Sequence, residues 1–395
     1  MNVTVVGGAY REMCQEPVLD RLLGSAVRAA GTLTDLGHDT ALVTCIDNDN
    51  RSELEAVAYT LGVKITSHPR TGAVTFAYET PLHHPSVLGS AMAGPIQVED
   101  DVVVGFGMLE SGWSAAASTL IIDPQHSAVQ DMLQRCTADR VAVVLNEHEA
   151  RRLTGRHDIA AATQALLALP VDVVVVKQGA IGGLMAANTG IESFGAHATD
   201  VVQPLGSGDA FTAGFAHAWA REAATPVEAA RFGSRVAAAH SLTGSPQVSQ
   251  AFDLVDDPLP YPTGERPRVY LAGPFFDLAQ RTMIHFVRHA LAHIGVEVFS
   301  PLHDVGRGGD EVAAADLDGL RSCHSVLALL DGADTGTLFE VGWASREGIP
   351  VVGFVDNVND HGWTMIRGTG TRVIADLSSA VYGAAWAAVR QSTST

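Results

Sequence analysis

Short, nearly unbroken apolar runs recur along the chain: "VTVVGG", "TALVTC", "DVVVGFG", "TLIIDP", "RVAVVLNE" and "VDVVVVKQG". Runs so rich in Val and Ile, without polar alternation, suit strands buried on both faces. They predict a mostly parallel sheet covered by helices. Between them the apolar spacing turns helical, over 18–36, 50–61, 158–168, 208–222 and 226–242, with Gly37 and Gly62 placed as C-terminal caps. The stretch 65–98 departs from this rhythm. Its "GAVTFAYETP" alternates with period two, which predicts an exposed strand or hairpin projecting from the main sheet.

The rhythm stops at "DLVDDPLPYPTGERPR", 253–268, where prolines and mixed charges fit neither period. It then begins again: strand 268–272, helix 277–294, strand 296–299, helix 310–322, strand 324–330, a helix from about 337, strand 349–355 and a last helix from about 378. The pattern divides the chain into a domain at 1–252, a linker at 253–267 and a second, smaller α/β domain at 268–395.

Composition narrows the partners. Apolar residues make up 47% and charged residues 17% of 395 residues, which suits packed globular domains. Lys plus Arg number 25 against 44 Asp plus Glu, a net charge of −19, the wrong sign for a nucleic-acid polymer or an anionic membrane surface. Cys14, Cys45, Cys136 and Cys323 show neither CxxC nor zinc spacing. "MNVTVVGGAY" has no basic start or long apolar core of a signal peptide, and no segment reaches the roughly 20 apolar residues of a membrane span. The expectation is a soluble, cytoplasmic protein with reduced thiols.

"QPLGSGDAFTAGF", 203–215, sets Gly-Ser-Gly-Asp directly before a helical pattern. Glycines let backbone N–H groups turn inward and the helix start adds its positive end, so Gly206, Ser207 and Gly208 can form an anion hole. Asp209 beside it would draw the proton from a hydroxyl attacking a phosphoryl group, or would only cap the helix. With the motifs around it, the loop resembles the ribokinase-like (PfkB) family of sugar and nucleoside kinases over roughly 1–250. That resemblance implies a doubly wound, mostly parallel sheet with a small strand lid, ATP and Mg2+ as cofactors, and Asp209 as catalytic base. It places Asn146 and Glu149 of "NEHE" at magnesium and phosphate, and Lys177, Gly179 and Gly182 of "VVKQGAIGG" at the nucleotide. Glu12, Gly24 and Arg28 fall at the substrate motifs, with Glu12 where the family has Asp and Arg28 where it has Asn. A guanidinium forks onto phosphate or carboxylate, which points to an anionic or nucleotide-like substrate, or else to an ion-paired Arg28. Gln203 replaces the first Asp of the family's loop motif, in a neighbourhood that orders a monovalent cation in relatives.

"LLDGADTGTLFEVGWASREG", 329–348, places Asp334 and Glu340 across a turn at a strand end, with Asp316 upstream in "DEVAAADLDGL". Clustered carboxylates suit chemistry at an anomeric carbon, or merely complement helix starts. Together with "RVYLAGPFF" these runs resemble the nucleoside 2-deoxyribosyltransferase family and its nucleotide N-glycosidase relatives over 268 to about 360. The resemblance implies a flavodoxin/Rossmann-like parallel domain needing no cofactor. It makes Glu340 the nucleophile, Asp334 a ligand of sugar hydroxyls and Asp316 an aid to proton transfer. Tyr270, Gly273, Phe275 and Phe276 would wall the pocket. It also implies a homo-oligomer whose sites are completed by a neighbour, with Asn357, Asn359 or Arg367 reaching the 5′ group.

His285, His289 and His293 share one helical face without an acidic partner, which reads as a solvated face and not a metal site. Two readings of the whole follow. One is a bifunctional enzyme that phosphorylates a sugar or nucleoside hydroxyl and cleaves or transfers at the N-glycosidic bond of a small nucleoside, nucleotide or sugar substrate. The other is a glycosidase or deoxyribosyltransferase regulated by a non-catalytic, ligand-sensing kinase-like domain.

Overall fold

Strand Asn2–Val6 lies inside the larger sheet of the computed structural model, parallel to Ile96–Phe106 on one side and Asp39–Ile46 on the other. The model describes residues 1–221, 224–356 and 363–393. From one edge this sheet runs Gly190–Phe194, Gly183–Ala187, Val173–Lys177, Thr137–Asn146, Trp113–Asp123, Ile96–Phe106, Asn2–Val6, Asp39–Ile46, Lys64–Thr71 and Met92–Ala93. The strands from Val173–Lys177 through Lys64–Thr71 are parallel, as the apolar runs predict, and antiparallel pairings flank them at both edges. Val173, Val174, Val175 and Val176 are all buried because helices cover both faces.

Helices Gly24–Asp35, Ser207–Trp219 and Pro226–Thr243 pack around this sheet. Small residues permit the close approach: a Cβ on Gly214 would lie 2.7 Å from the Val236 side chain. Gly37 and Gly62 follow their helices with φ of +86° and +69°, the left-handed geometry read from the sequence.

One predicted helix begins later than its pattern. Leu19–Leu22 is a strand, antiparallel to Arg11–Cys14, and the helix starts only at Gly24. Gly24 has φ +75°, and a Cβ there would sit 2.8 Å from the Gly8 carbonyl, so the chain turns sharply where the apolar spacing runs on smoothly. Arg11–Cys14 also pairs with Val74–Tyr78, which pairs with Ser86–Gly89, so the alternating segment belongs to a separate four-stranded sheet.

The second sheet has the order Glu297–Phe299, Arg268–Ala272, Ser325–Leu329, Val351–Phe354, Arg372–Ile374, parallel throughout. Helices Leu278–His293, Ala313–Arg321, Thr335–Glu347 and Leu377–Ser392 accompany it. Asp277 with Gln280 forms a capping box at the first of these, and Asp334 and Asp376 cap the last two. The strand Arg372–Ile374 was not read from the sequence, being only three residues long.

The chain forms two compact units that do not follow a single cut. Met1–Lys177, Gly183–Phe194 and Gln203–Val255 make the first; Gln178–Gly182, Gly195–Val202 and Asp256–Thr395 make the second.

Candidate active sites

In the first unit, helix Ser207–Trp219 is preceded by Gly206 in the left-handed region, φ +87°. A Cβ at Gly206 would meet Arg28 Nε at 2.0 Å, so glycine here makes room for the guanidinium. Arg28 is 1% exposed. Its Nη1 donates to Asp209 Oδ2 at 2.6 Å and its Nη2 to Glu12 Oε1 and Oε2 at 2.7 and 2.6 Å. Arg21 Nε adds a bond to Glu12 at 3.0 Å. Burial works to raise Glu12, but Arg28 and Arg21 hold its carboxyl below the usual range. Burial raises Asp209 against the pull of Arg28, with the Asp123 charge adding to the rise. Glu12, Arg28 and Asp209 thus meet, joined to one another.

Lys177 Nζ donates to Asp123 Oδ2 at 3.0 Å and to the Gly208 carbonyl at 3.3 Å, and Thr212 Oγ1 donates to the same Asp123 oxygen at 2.9 Å. Asp123 was not singled out in the sequence, although "TLIIDP" ends a buried strand at its C-terminal edge, where α/β sheets hold ligands. Gln125, two residues on, holds φ at 50°, uncommon for a non-glycine residue, and its Nε2 donates to Ser25 Oγ and to Asp209 Oδ1 at 3.5 Å. Asn146 and Glu149 cap helix Glu147–Thr154 reciprocally, each side chain accepting the other's backbone N–H. Burial and the Asp123 charge push Glu149 up to about 7. Two hard-oxygen carboxylates that repel each other fit a Mg2+ ion, which takes one or two protein carboxylates and completes its shell with water and phosphate. The nucleotide half does not fit: Gly179 and Gly182 lie in the second unit, in a turn where the amides of Gln178, Ala180, Ile181 and Gly182 bond within that unit.

In the second unit, Tyr270 projects from strand Arg268–Ala272, fully buried and stacked on Phe299 with centroids 5.5 Å apart. Its hydroxyl donates to Glu340 Oε1 at 2.6 Å. Tyr270 therefore serves as a hydrogen-bond donor to the carboxylate, a role the residue's aromatic character alone did not signal. Burial pushes Glu340 up to about 7; the Tyr270 bond lowers it, and the charges of Asp316 and Asp334 raise it. Asp334 Oδ2 accepts from Thr337 N at 2.8 Å and Thr337 Oγ1 at 3.0 Å, which fixes the carboxyl at the start of the helix carrying Glu340. Ala333 just before it has φ 49°, a strained conformation held beside the site. Asp316 is raised by burial, and its Oδ1 is buried without a hydrogen-bond partner. Phe275 and Phe276 stack at 5.9 Å with Phe276 70% exposed, while Gly273 is closed in by Ile284 and Leu329.

Arg367 closes the short helix Thr364–Gly368. Asn357 and Asn359 lie outside the described residues. His285, His289 and His293 are all exposed, as a solvated helix face requires, and His285 Nδ1 lies 2.8 Å from Nε2 of His303 on that surface.

Residues 110–250 match the family model of pfkB family carbohydrate kinases, and residues 269–373 match that of nucleoside 2-deoxyribosyltransferases. Among solved structures, fructokinase from Vibrio cholerae O395, bound to fructose, ADP and calcium, is 16% identical with a TM-score of 0.51, over 65% of this chain and 99% of its own. A pyrophosphate-dependent kinase of the ribokinase family, in complex with sulfate, is 14% identical with a TM-score of 0.50, over 64% and 99%. At these identities the likeness shows the ribokinase-like fold. Comparison with curated proteins gives no match.

Proposed function

Because one chain joins a PfkB-type segment to a nucleoside deoxyribosyltransferase-type segment, we propose that it is an enzyme of nucleoside or nucleotide metabolism whose second unit breaks or transfers the N-glycosidic bond. The observation that carries this reading is the half-buried Glu340 carboxylate, pushed to about 7 and held by the Tyr270 hydroxyl at 2.6 Å beside two further acids. Ionised Glu340 attacks C1′ and forms a glycosyl ester as the bond to the base breaks. The leaving base takes a proton from Asp316, whose raised pKa keeps more of it protonated than an ordinary aspartate. Water, or a second base, then attacks C1′, releases Glu340 and returns a proton to Asp316, with net retention. Asp334 would accept from sugar hydroxyls through the oxygen that Thr337 leaves free.

PfkB-type kinases use ATP, typically with a divalent metal. In the kinase reading of the first unit, Asp209 draws the proton from a substrate hydroxyl. A specific observation favours the second reading, a ligand-binding unit without phosphoryl transfer: Arg28 already joins Asp209 to Glu12. The test is mass spectrometry of a panel of nucleosides and 5′-nucleotides, with and without ATP and an acceptor base. Free base indicates hydrolysis, base exchange indicates transfer, and a gain of one phosphoryl group that Asp209→Asn abolishes indicates a kinase. Base release that survives Glu340→Ala defeats the role given to Glu340.

A further inference from the structure

A loop that holds phosphate or a nucleobase presents free backbone N–H groups to it. Gln178–Gly182 carries the glycines that the kinase resemblance gives to a nucleotide, yet four of its five amides have other partners. Gln178 N–H donates to the Gly182 carbonyl at 2.7 Å, Ala180 to Ile294 at 2.9 Å, Ile181 to Gln178 at 3.4 Å and Gly182 to Gly179 at 3.3 Å. The Gln178 side chain, 2% exposed, accepts from the Tyr261 hydroxyl at 2.8 Å. Both glycines have a structural reason. Gly179 has φ +60°, and a Cβ there would lie 2.8 Å from the Cα and carbonyl oxygen of Ile294; Gly182, at φ +103°, closes the turn. The fit is mutual, since a Cβ on Gly295 would lie 2.5 Å from the Gln178 carbonyl.

The segment Gly195–Val202 behaves in the same way. Ala196 accepts from Leu259 N–H at 2.7 Å, Val202 N–H donates to Ser379 Oγ at 3.0 Å, and Arg372 reaches the Asp200 carbonyl and carboxylate at 3.1 and 2.9 Å. Every one of these partners belongs to the second unit.

We infer that Gln178–Gly182 is a strut of the second unit and not a nucleotide site, so that the first unit takes no adenine nucleotide through it. The PfkB-type part of the chain thereby supplies two segments to the glycosidase-type fold, and the inference holds whichever glycosidic reaction that fold performs.

The test uses the full-length chain. Hydrogen exchange at Ala180, Ile181 and Gly182 and the melting temperature are measured with and without millimolar ATP and Mg2+. The inference predicts amides protected to the same degree in both conditions, whatever ATP does to the melting temperature through other residues. Slower exchange across 178–182 with ATP overturns it. Gly179→Val, which sets a β-branched side chain against Ile294, should lower the melting temperature and slow base release by the same factor with or without ATP. An unperturbed variant overturns the strut. Should that variant not fold, the wild-type exchange comparison still decides. Base release in the same samples separates the two readings: ATP protection with base release intact defeats only the strut, and failed base release without ATP protection defeats only the glycosidic chemistry.

Discussion

Replacing Tyr270 by Phe removes one oxygen and keeps the ring stacked on Phe299, so the change falls on Glu340. The lost bond is 2.6 Å long and ends on a half-buried carboxylate. A hydrogen bond to a charged group contributes roughly 1.5–3 kcal/mol, and each pKa unit corresponds to about 1.4 kcal/mol, so the ionised form loses stabilisation worth about one to two units. Starting from about 7 in the wild type, Glu340 is about half ionised at neutral pH. In the variant the ionised fraction falls to between roughly a tenth and a hundredth. Only the ionised form attacks C1′. The acid limb of the rate of base release, followed by absorbance or chromatography from about pH 5 to 9, therefore moves to higher pH by about one to two units, and alkaline rates recover most of the loss. An acid limb that stays in place while the rate falls equally at every pH refutes the role given to this hydroxyl.

Other substitutions test the same physics. In the folded chain Glu340 is pushed up to about 7, above its ordinary value of 4.5, so the folded chain binds the extra proton and loses stability as pH rises between these values. Glu340→Gln should abolish base release yet raise stability at pH 8 by at most about 3 kcal/mol, with little gain at pH 4, as urea unfolding at the two pH values would report. Arg28→Met strands Glu12 and Asp209 without their buried partner and should cost roughly 3–5 kcal/mol, with Glu12→Gln added to the variant recovering part of it. Asp334→Ala removes a helix cap and should cost about 1 kcal/mol, while Asp334→Ser keeps the cap and recovers stability but not base release.

The strands were legible because burial on both faces leaves continuous apolar runs. Arg268–Ala272 and its neighbours were read within a residue or two of where they lie. The helix expected from 18 was not, because apolar spacing says nothing of the left-handed turn at Gly24. Carboxylates and glycines could be named from motifs, but their partners lie far away in sequence. Arg28 and Asp209 are 181 residues apart, and Tyr270 and Glu340 are 70 apart. No local pattern announces that an arginine will fill the room above a glycine, or that Gly179 faces the backbone of Ile294. Asp123 escaped notice because a single acid at a strand end has no signature until Lys177 and Thr212 converge on it.

The central claim is that Glu340 becomes covalently attached to the sugar. Acid quenching during turnover, followed by mass spectrometry of the peptide spanning Thr335–Glu347, tests it directly. The account predicts a mass increment of one sugar, or sugar phosphate, on Glu340 in the wild type, with no increment and no base release in Glu340→Gln. Base release at the wild-type rate by Glu340→Gln would contradict it.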